Sequence, residues 1–177
     1  HTHLKKMTSF NENSIVRIAS MTKPITSLCI FQLIEKKLIS LETNLEDIDR
    51  RFSDVKIIEI IDNNVQYLKP KSKIKIKHLL THTSGLPAYK PLYAFVLNEE
   101  SLLDSIYKID LNFKAGDSTV YSDLGMILLG EIITKVSGVS LDTFIDSVLF
   151  KPLGMNNTLF NPNEKKLHRI VPTEIDQ

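Results

Sequence analysis

The sequence contains no tryptophan, one cysteine and only six glycines in 177 residues. A single cysteine, Cys29, excludes an internal disulfide. The longest apolar stretch, residues 28–34, is interrupted by Gln32 and is far shorter than the roughly 20 apolar residues of a membrane-spanning helix. No membrane span is therefore predicted.

Neither sign of charge dominates, because 22 lysines and arginines face 21 acidic residues, for a net charge of +1. This balance gives no global attraction to nucleic acids or anionic membranes. The one local exception is residues 69–77, where Lys71, Lys73, Lys75 and Lys77 alternate with other residues. Lysines often protect the edge of a sheet, and no aromatic side chains for base stacking lie between them, so we expect an edge strand and no nucleic-acid partner.

Two histidine pairs raise the question of a metal. His78 and His82 have the four-residue spacing of a zinc-binding helix, but the metalloprotease motif needs a glutamate directly after the first histidine, and Leu79 stands there. His1 and His3 lie at a terminus that is expected to fray. No third ligand is evident for either pair. We predict no metal site and no other cofactor.

An apolar content of 42% allows one hydrophobic core, and we expect a single domain over residues 1–177. Residues 15–19 are rich in β-branched types and predict a short extended segment. Residues 20–38 predict a helix with Pro24 in its first turn, where the missing N–H is harmless. This helix is apolar on nearly all sides, which predicts a central, buried position.

Further elements follow from hydrophobic periodicity and turn residues. Helices are predicted over residues 101–109, 124–136 and 141–150, whereas residues 55–61 fit either a strand or a helix. Residues 83–87 predict a helix end and turn, with Gly85 left-handed. Gly125 and Gly130 are unfavourable inside a helix unless they allow another helix to approach closely.

Four serines are followed three residues later by a lysine, whereas the composition alone predicts roughly 1.5 such pairs. The pair Ser72/Lys75 lies in the alternating segment, where residues three apart point to opposite faces of a strand. Ser53/Lys56 and Ser105/Lys108 have no buried element to hold them. Only Ser20/Lys23 stands at the start of a helix that the core would fix, as a positioned nucleophile requires.

Five segments in this order resemble the serine β-lactamase and penicillin-binding family, in particular its class C β-lactamase, D,D-peptidase and esterase branch. They are Ile18-Ala-Ser-Met-Thr-Lys23-Pro, Leu79-Leu-Thr-His-Thr-Ser-Gly-Leu86, Tyr121-Ser-Asp-Leu-Gly125, Leu129-Gly-Glu-Ile-Ile133 and Lys151-Pro-Leu-Gly-Met155. Their order makes the resemblance much more specific than one Ser-x-x-Lys pair.

The resemblance implies a serine hydrolase that transfers acyl groups from an ester, a β-lactam or a D-amino-acid peptide. Ser20 would be the nucleophile, Lys23 and Tyr121 would share the proton transfer, and Asp123 would orient Lys23 or the substrate. A free lysine or tyrosine has a pKa near 10, so a base at pH 7 needs about 3 pKa units, or roughly 4 kcal/mol, from its surroundings. An ammonium beside a phenol supplies part of that shift.

The sequence departs from the family in two ways. Asp123 stands where the family most often has asparagine, and no Lys-Thr-Gly or His-x-Gly segment occurs. In the family that segment lies on a strand that supplies the second oxyanion N–H, and losing such a donor typically lowers the rate about 10²–10³-fold. The resemblance thus implies an α+β, β-lactamase/transpeptidase-like fold with mainly the helical subdomain present, most of the antiparallel sheet missing, and weak or no turnover by this chain alone.

Alternatives to a working hydrolase stay open at this stage. One is a penicillin-binding or sensor module of the same fold that is acylated without turnover, or an inactive truncated homologue. Another is a helical domain that carries the motifs by chance. The expected partner is a small-molecule or peptide acyl substrate, while the oligomeric state and the compartment, whether cell envelope or cytoplasm, stay undetermined.

Overall fold

The computed structural model describes residues 10–70, 73–92 and 98–172. Within them, helices surround one core and a single β-hairpin lies at the side. The helices are α1 (Thr22–Glu35), α2 (Leu45–Ile48), α3 (Ile76–Leu80), α4 (Glu99–Tyr107), α5 (Asp123–Ser137), α6 (Leu141–Ile145) and α7 (Glu164–Leu167). The strands are β1 (Ile57–Ile61) and β2 (Asn64–Leu68). The described residues thus have the predicted helix-rich composition, with a single two-stranded sheet.

The first helix is central, as predicted, but only one of its faces is buried. Cys29, Ile30 and Leu33 are buried and α1 packs on α5, but Leu28 and Phe31 are each about half exposed. An apolar sequence shows that a face can be buried, but it does not show which faces another segment covers.

This helix also ends three residues earlier than predicted. It ends at Glu35, and Lys37 has a left-handed backbone with φ of 58°. The N–H of Leu38 then donates to the carbonyl of Leu33, the long-range bond of a Schellman-type helix end.

The most buried helix is α5, whose core-facing residues pack on α1, α3 and α6. A Cβ atom at Gly130 would lie only 3.0 Å from Cδ2 of Leu141, so this glycine lets α6 approach closely, as predicted. Gly138 ends α5 in a left-handed conformation with φ of 75°. The contact at Gly130 therefore places α6 against the middle of α5.

Residues 55–61, which fit either a strand or a helix by sequence, contain strand β1. It pairs in antiparallel register with β2, with Ile57 opposite Leu68 and Ile61 opposite Asn64. Asp62 and Asn63 both have positive φ, which suits the tight turn between two strands.

The predicted edge strand over residues 69–77 is wrong. Lys75 forms only an isolated bridge with Asn44, and α3 begins at the next residue. Ile74 and Ile76 are nevertheless buried, so the apolar residues do alternate inward. Lys71 and Ser72 lie outside the described residues.

Three described lysines of that segment pair with acidic residues. Lys75 and Lys77 both reach Glu42, at 2.7 and 2.6 Å, and Lys73 pairs with Glu46. The period-2 pattern therefore comes from a short extended segment that enters a helix.

The remaining helices differ from prediction mainly at their ends. The helix predicted at residues 101–109 is α4, Glu99–Tyr107, which begins where the Asn98 side chain accepts from the Ser101 N–H. The predicted helix 141–150 is α6 followed by a π-helical turn, Asp146–Phe150. No single helix of the described chain is long and apolar enough to cross a membrane; α5 with residues 141–150 reaches that length and hydropathy only as a pair bent by 78°.

Candidate active site

Ser20 stands at the exposed start of α1, in a 3₁₀ turn over Ala19–Met21 that leads into the helix. The preceding Ala19 has φ of 45°, a left-handed conformation that is strained for a residue with a Cβ atom. Lys23 lies one turn further along, and its Nζ donates to the Ser20 Oγ at 2.9 Å. The three-residue spacing thus places an amine beside an exposed hydroxyl.

Asp123 comes from the other central helix and contacts the same amine. It is the first residue of α5, where a carboxylate is favoured by the helix dipole. Its Oδ1 lies 2.6 Å from Nζ of Lys23, whose side chain is only 16% exposed. Because α1 packs on α5, this ion pair joins the starts of the two central helices.

Tyr121 completes the group from the residues just before α5. Nζ of Lys23 lies 4.7 Å from the centre of its ring, and the phenol is close enough to Lys23 and Ser20 for both side chains to lower its pKa. The structure thus brings Ser20, Lys23, Tyr121 and Asp123 together. We call these four residues the Ser20 cluster.

The contacts shift the two basic groups in opposite directions. Burial lowers the pKa of Lys23, but hydrogen bonds to Asp123 and Tyr121 outweigh that effect, so the pKa is raised above its ordinary value. The hydrogen bonds from Lys23 and from Ser20 lower the pKa of the Tyr121 phenol. At neutral pH the lysine is therefore an ammonium, and the phenol is the group moved towards basic action.

The backbone of this segment is held by the loop over residues 82–88. Ser122 is the N-cap of α5, and its hydroxyl accepts from the N–H of Gly125 and donates to the carbonyl of Pro87 at 2.7 Å. The N–H of Asp123 donates to the carbonyl of Ala88. Ser122 is almost fully buried, so these bonds are protected from water.

His78 and His82 each use a ring nitrogen to accept a backbone N–H. Nδ1 of His78 accepts from Lys75 at 3.0 Å, and Nδ1 of His82 accepts from Ser122 at 3.1 Å. Within the described residues, no three His, Cys, Asp or Glu side chains form a group that could hold a metal. His1 and His3 lie outside the described residues.

Gly85 has the predicted left-handed conformation, with φ of 89°. A Cβ atom there would lie 2.1 Å from the carbonyl oxygen of Phe113, so only glycine fits. The helix before it ends at Leu80, however, and His82 is an earlier left-handed residue with φ of 58°. Neither the left-handed conformation of His82 nor its contact with Ser122 was predicted, although the segment around it was part of the family resemblance.

An open groove of about 580 Å³ extends from the Ser20 cluster between α1, α4 and α5. Ser20, Lys23 and Asp123 lie at one end of it. Much of its lining is apolar, from Leu102, Leu103, Met126, Ile127 and Leu141. A small molecule with its carbonyl group near the serine could place an apolar part along these residues.

Comparisons with known proteins identify the relatives of this chain. The chain is 32% identical over 174 residues to a penicillin-binding protein of Bacillus subtilis, which covers 93% of the chain and 33% of that protein. It is 37% identical over 105 residues to an N-acetylmuramyl-L-alanine amidase of the same organism. This second alignment covers 55% of the chain and 24% of the relative. The chain thus spans between a quarter and a third of the length of these relatives.

A β-lactamase/D-alanine carboxypeptidase of Yersinia pestis superposes on 92% of this chain with a TM-score of 0.73 and 23% identity. That match covers 45% of the solved chain and shows the β-lactamase/transpeptidase fold. The sequence model of the family described as Beta-lactamase matches residues 1–174, which excludes a chance occurrence of the motifs. This chain therefore belongs to the β-lactamase family.

Proposed function

We propose that this chain carries the acylating site of a serine hydrolase, with Ser20 as the nucleophile. The observation that supports this proposal is the meeting of the Ser20 hydroxyl with the Lys23 ammonium, which Asp123 holds from the other side. The Tyr121 phenol joins both groups. A hydroxyl with a positioned base and a cation at a helix start is the arrangement that nucleophilic catalysis needs.

Tyr121 is the proposed base. Lys23 is protonated at neutral pH because its pKa is raised, so it has no lone pair with which to accept the serine proton. The phenolate of Tyr121 accepts that proton while Oγ of Ser20 forms a bond to the carbonyl carbon of the substrate. The tetrahedral intermediate then breaks the bond to its leaving group, which departs with the proton from Tyr121. Water later hydrolyses the acyl-enzyme by the same route in reverse.

Asp123 is proposed to act through Lys23. The ion pair at 2.6 Å holds the ammonium between the serine and the phenol. It also places a negative charge where the family most often has a neutral asparagine, and this charge favours the protonated lysine. With aspartate in place of asparagine, the Tyr121 phenol is therefore the proposed base, and the Lys23 ammonium stabilises negative charge.

The proposed substrate is an ester, a β-lactam or a D-amino-acid peptide with an apolar acyl group. The apolar lining of the groove beside Ser20 supports this preference. A series of nitrophenyl esters with acyl chains of two to eight carbons tests it. We expect kcat/KM to rise with chain length, since each buried methylene contributes about 0.8 kcal/mol. A flat series would contradict the apolar preference.

Covalent labelling tests the nucleophile most directly. We expect a fluorescent phosphonate or a fluorescent penicillin to label the protein, and Ser20→Ala to abolish labelling while the fold is kept. Ser53→Ala is the matched control, because Ser53 also precedes a lysine by three residues but bonds only locally, to the Arg50 carbonyl and Asp54. Equal labelling of the Ser20→Ala variant would disprove the proposal.

A second candidate is a penicillin-binding module that is acylated without turnover. These 177 residues contain no Lys-Thr-Gly or His-x-Gly segment to supply a second oxyanion donor, so a protein made of them alone would turn over more slowly than it is acylated. Steady-state hydrolysis of a nitrophenyl ester separates the two candidates. One equivalent of product followed by no further release identifies the module, whereas continuous release identifies the hydrolase.

A further inference from the structure

His82 touches the segment of Tyr121 at three points. Its carbonyl oxygen accepts from the N–H of Val120 at 2.9 Å, and its Nδ1 accepts from the N–H of Ser122 at 3.1 Å. Its ring packs on the Tyr121 ring with 4.7 Å between centroids and 38° between planes. One residue therefore holds the backbone on both sides of Tyr121 as well as its aromatic ring.

The position of His82 is itself fixed by the core. It follows α3, and its N–H donates to the carbonyl of Leu79, which is fully buried. Its φ of 58° turns the chain so that both the carbonyl and the ring face residues 120–122. A left-handed backbone is uncommon outside glycine, though histidine tolerates it better than most residues, and such strain is retained where the surrounding structure needs it.

We propose that His82 is a positioning residue that holds the Tyr121 phenol against Ser20 and Lys23. This proposal rests on the proposed function, since it gives Tyr121 a geometric support for its role as base. The family resemblance marked the segment around His82 but gave this side chain no task. The three contacts give it one.

The contact with Ser122 requires an unprotonated Nδ1, so the proton of the neutral ring lies on Nε2. Two charged groups of the Ser20 cluster, Lys23 and Asp123, face this ring with opposite effects. Burial, and then the charge of Lys23, keep the pKa of His82 below its ordinary value. The acceptor form therefore persists at neutral pH.

Two substitutions separate the contacts. His82→Phe keeps a ring against Tyr121 but has no atom to accept from Ser122, whereas His82→Asn places a carbonyl oxygen near the position of Nδ1 and tolerates the left-handed backbone. His78→Phe is the matched control, because it removes the same kind of bond, to the Lys75 N–H, four residues earlier on α3.

The test has three readouts. They are the second-order rate of labelling by a fluorophosphonate, the pH profile of that rate, and the pKa of the Tyr121 phenol from NMR of ¹³Cζ-labelled tyrosine. We expect His82→Phe to label about 10–100-fold more slowly, as for a displaced catalytic group, and to return the Tyr121 pKa towards its ordinary value. We expect His82→Asn to recover most of both. If His82→Phe is labelled as fast as the unmodified protein, the proposal is overturned. It is also overturned if His82→Asn and His78→Phe lose as much labelling rate as His82→Phe does.

A measurement on the unmodified chain keeps the test independent of variant folding and of catalysis. The ¹⁵N shifts of the His82 ring report its tautomer, and we expect a bare Nδ1 that accepts from Ser122. A proton on Nδ1 would remove the contact and disprove the positioning role. If the unmodified protein is not labelled at all, the proposed function fails, while the tautomer and the Tyr121 pKa still decide the role of His82.

Discussion

Tyr121 and Tyr107 each lie beside a cation and a carboxylate from other parts of the chain. Tyr121 is 54% exposed and contacts Lys23, which forms an ion pair with Asp123. Tyr107 is 8% exposed and lies 3.9 Å beneath the Arg51 guanidinium, close enough to Asp49 for that carboxylate to raise its pKa. We call the second group, which also includes Glu131 and Lys135, the Asp49 cluster.

The two phenols respond in opposite ways. Burial, followed by the hydrogen bond to Asp49, raises the pKa of Tyr107 well above its ordinary value. The hydrogen bond to Lys23 lowers that of Tyr121. A phenolate at the buried Tyr107 would face a carboxylate, whereas a phenolate at Tyr121 would face an ammonium. The group that meets the phenol oxygen decides its chemistry, since both clusters contain both charges.

The backbones of the two clusters differ as well. Among the described residues, six non-glycine residues have positive φ: Ala19, Lys37, Asp62, Asn63, His82 and Asn161. Ala19 precedes Ser20 and His82 contacts Tyr121, whereas no residue of the Asp49 cluster is on this list. Backbone strain thus lies beside the Ser20 cluster and not within the Asp49 cluster. Such strain is typical of functional sites, so this difference fits a functional Ser20 cluster and a structural Asp49 cluster.

Replacing each tyrosine by phenylalanine breaks the comparison most strongly. We expect Tyr121→Phe to lower the rate of Ser20 labelling about 10²–10⁴-fold, the usual contribution of a general base. We expect Tyr107→Phe to leave labelling unchanged and to reduce the free energy of unfolding by about 1–3 kcal/mol, because Asp49 loses a buried partner. Labelling kinetics and urea denaturation check the pair; similar labelling losses in both variants would remove the distinction.

Removing the Asp49 carboxylate tests the structural cluster. Asp49 is 8% exposed and meets Arg51 at 2.7 Å and Lys135 at 3.3 Å. Breaking a fully buried ion pair typically costs about 3–5 kcal/mol. Both cations here are about one-third exposed, so we expect Asp49→Asn to lower the free energy of unfolding by no more than about 3 kcal/mol.

The pH dependence of this loss has a definite sign. Burial raises the pKa of Asp49, but hydrogen bonds from Arg51, Tyr107 and Lys135 outweigh that effect, so the pKa lies well below its ordinary value. The carboxylate therefore stabilises the fold above the unfolded pKa near 3.9, and this contribution declines as the pH falls below it. Urea titrations should show the gap between Asp49→Asn and the unmodified protein narrowing from pH 6 to pH 3; a constant gap would contradict the assignment.

Asp123→Asn should affect proton transfer more than stability. The ion pair with Lys23 is half exposed on the Asp123 side, so its removal should change the maximal labelling rate by no more than about fivefold. The carboxylate raises the pKa of both Lys23 and Tyr121. We therefore expect the whole labelling profile to move to lower pH, and an unshifted profile would show that Asp123 does not act through Lys23.

The sequence could predict the parts of the site that depend on local spacing. Ser20 and Lys23 are one turn apart at a helix start, and Asp123 follows Tyr121 at the start of another helix. These relations are within reach of helix geometry and a family resemblance. Only the resemblance predicted that the Ser20/Lys23 pair would meet the Tyr121/Asp123 pair. The two pairs are about 100 positions apart, and local spacing does not show which helices pack together.

Other features could not be predicted, because they depend on distant partners. The N–H of Ser122 reaches a histidine 40 residues earlier, through a left-handed backbone that no pattern in the sequence marks. The period-2 alternation of residues 69–77 fits a strand and also an extended segment that enters a helix. The exposed Leu28 and Phe31 show the same limit, since hydrophobicity does not identify the neighbour.

The smallest expected effect tests the strain beside Ser20. The left-handed backbone costs a residue with a Cβ atom about 1–2 kcal/mol, and glycine avoids this cost but loses about 0.5–1 kcal/mol of conformational entropy on folding. We expect Ala19→Gly to stabilise the fold by less than about 1 kcal/mol and to slow labelling a few-fold, since the strained turn no longer fixes Ser20. Lys37→Gly is the matched control, because Lys37 has a similar φ of 58° at the far end of α1. Urea midpoints and labelling rates should show a stability gain for both variants and slower labelling only for Ala19→Gly; unchanged labelling would mean that the strain at Ala19 is incidental to the site.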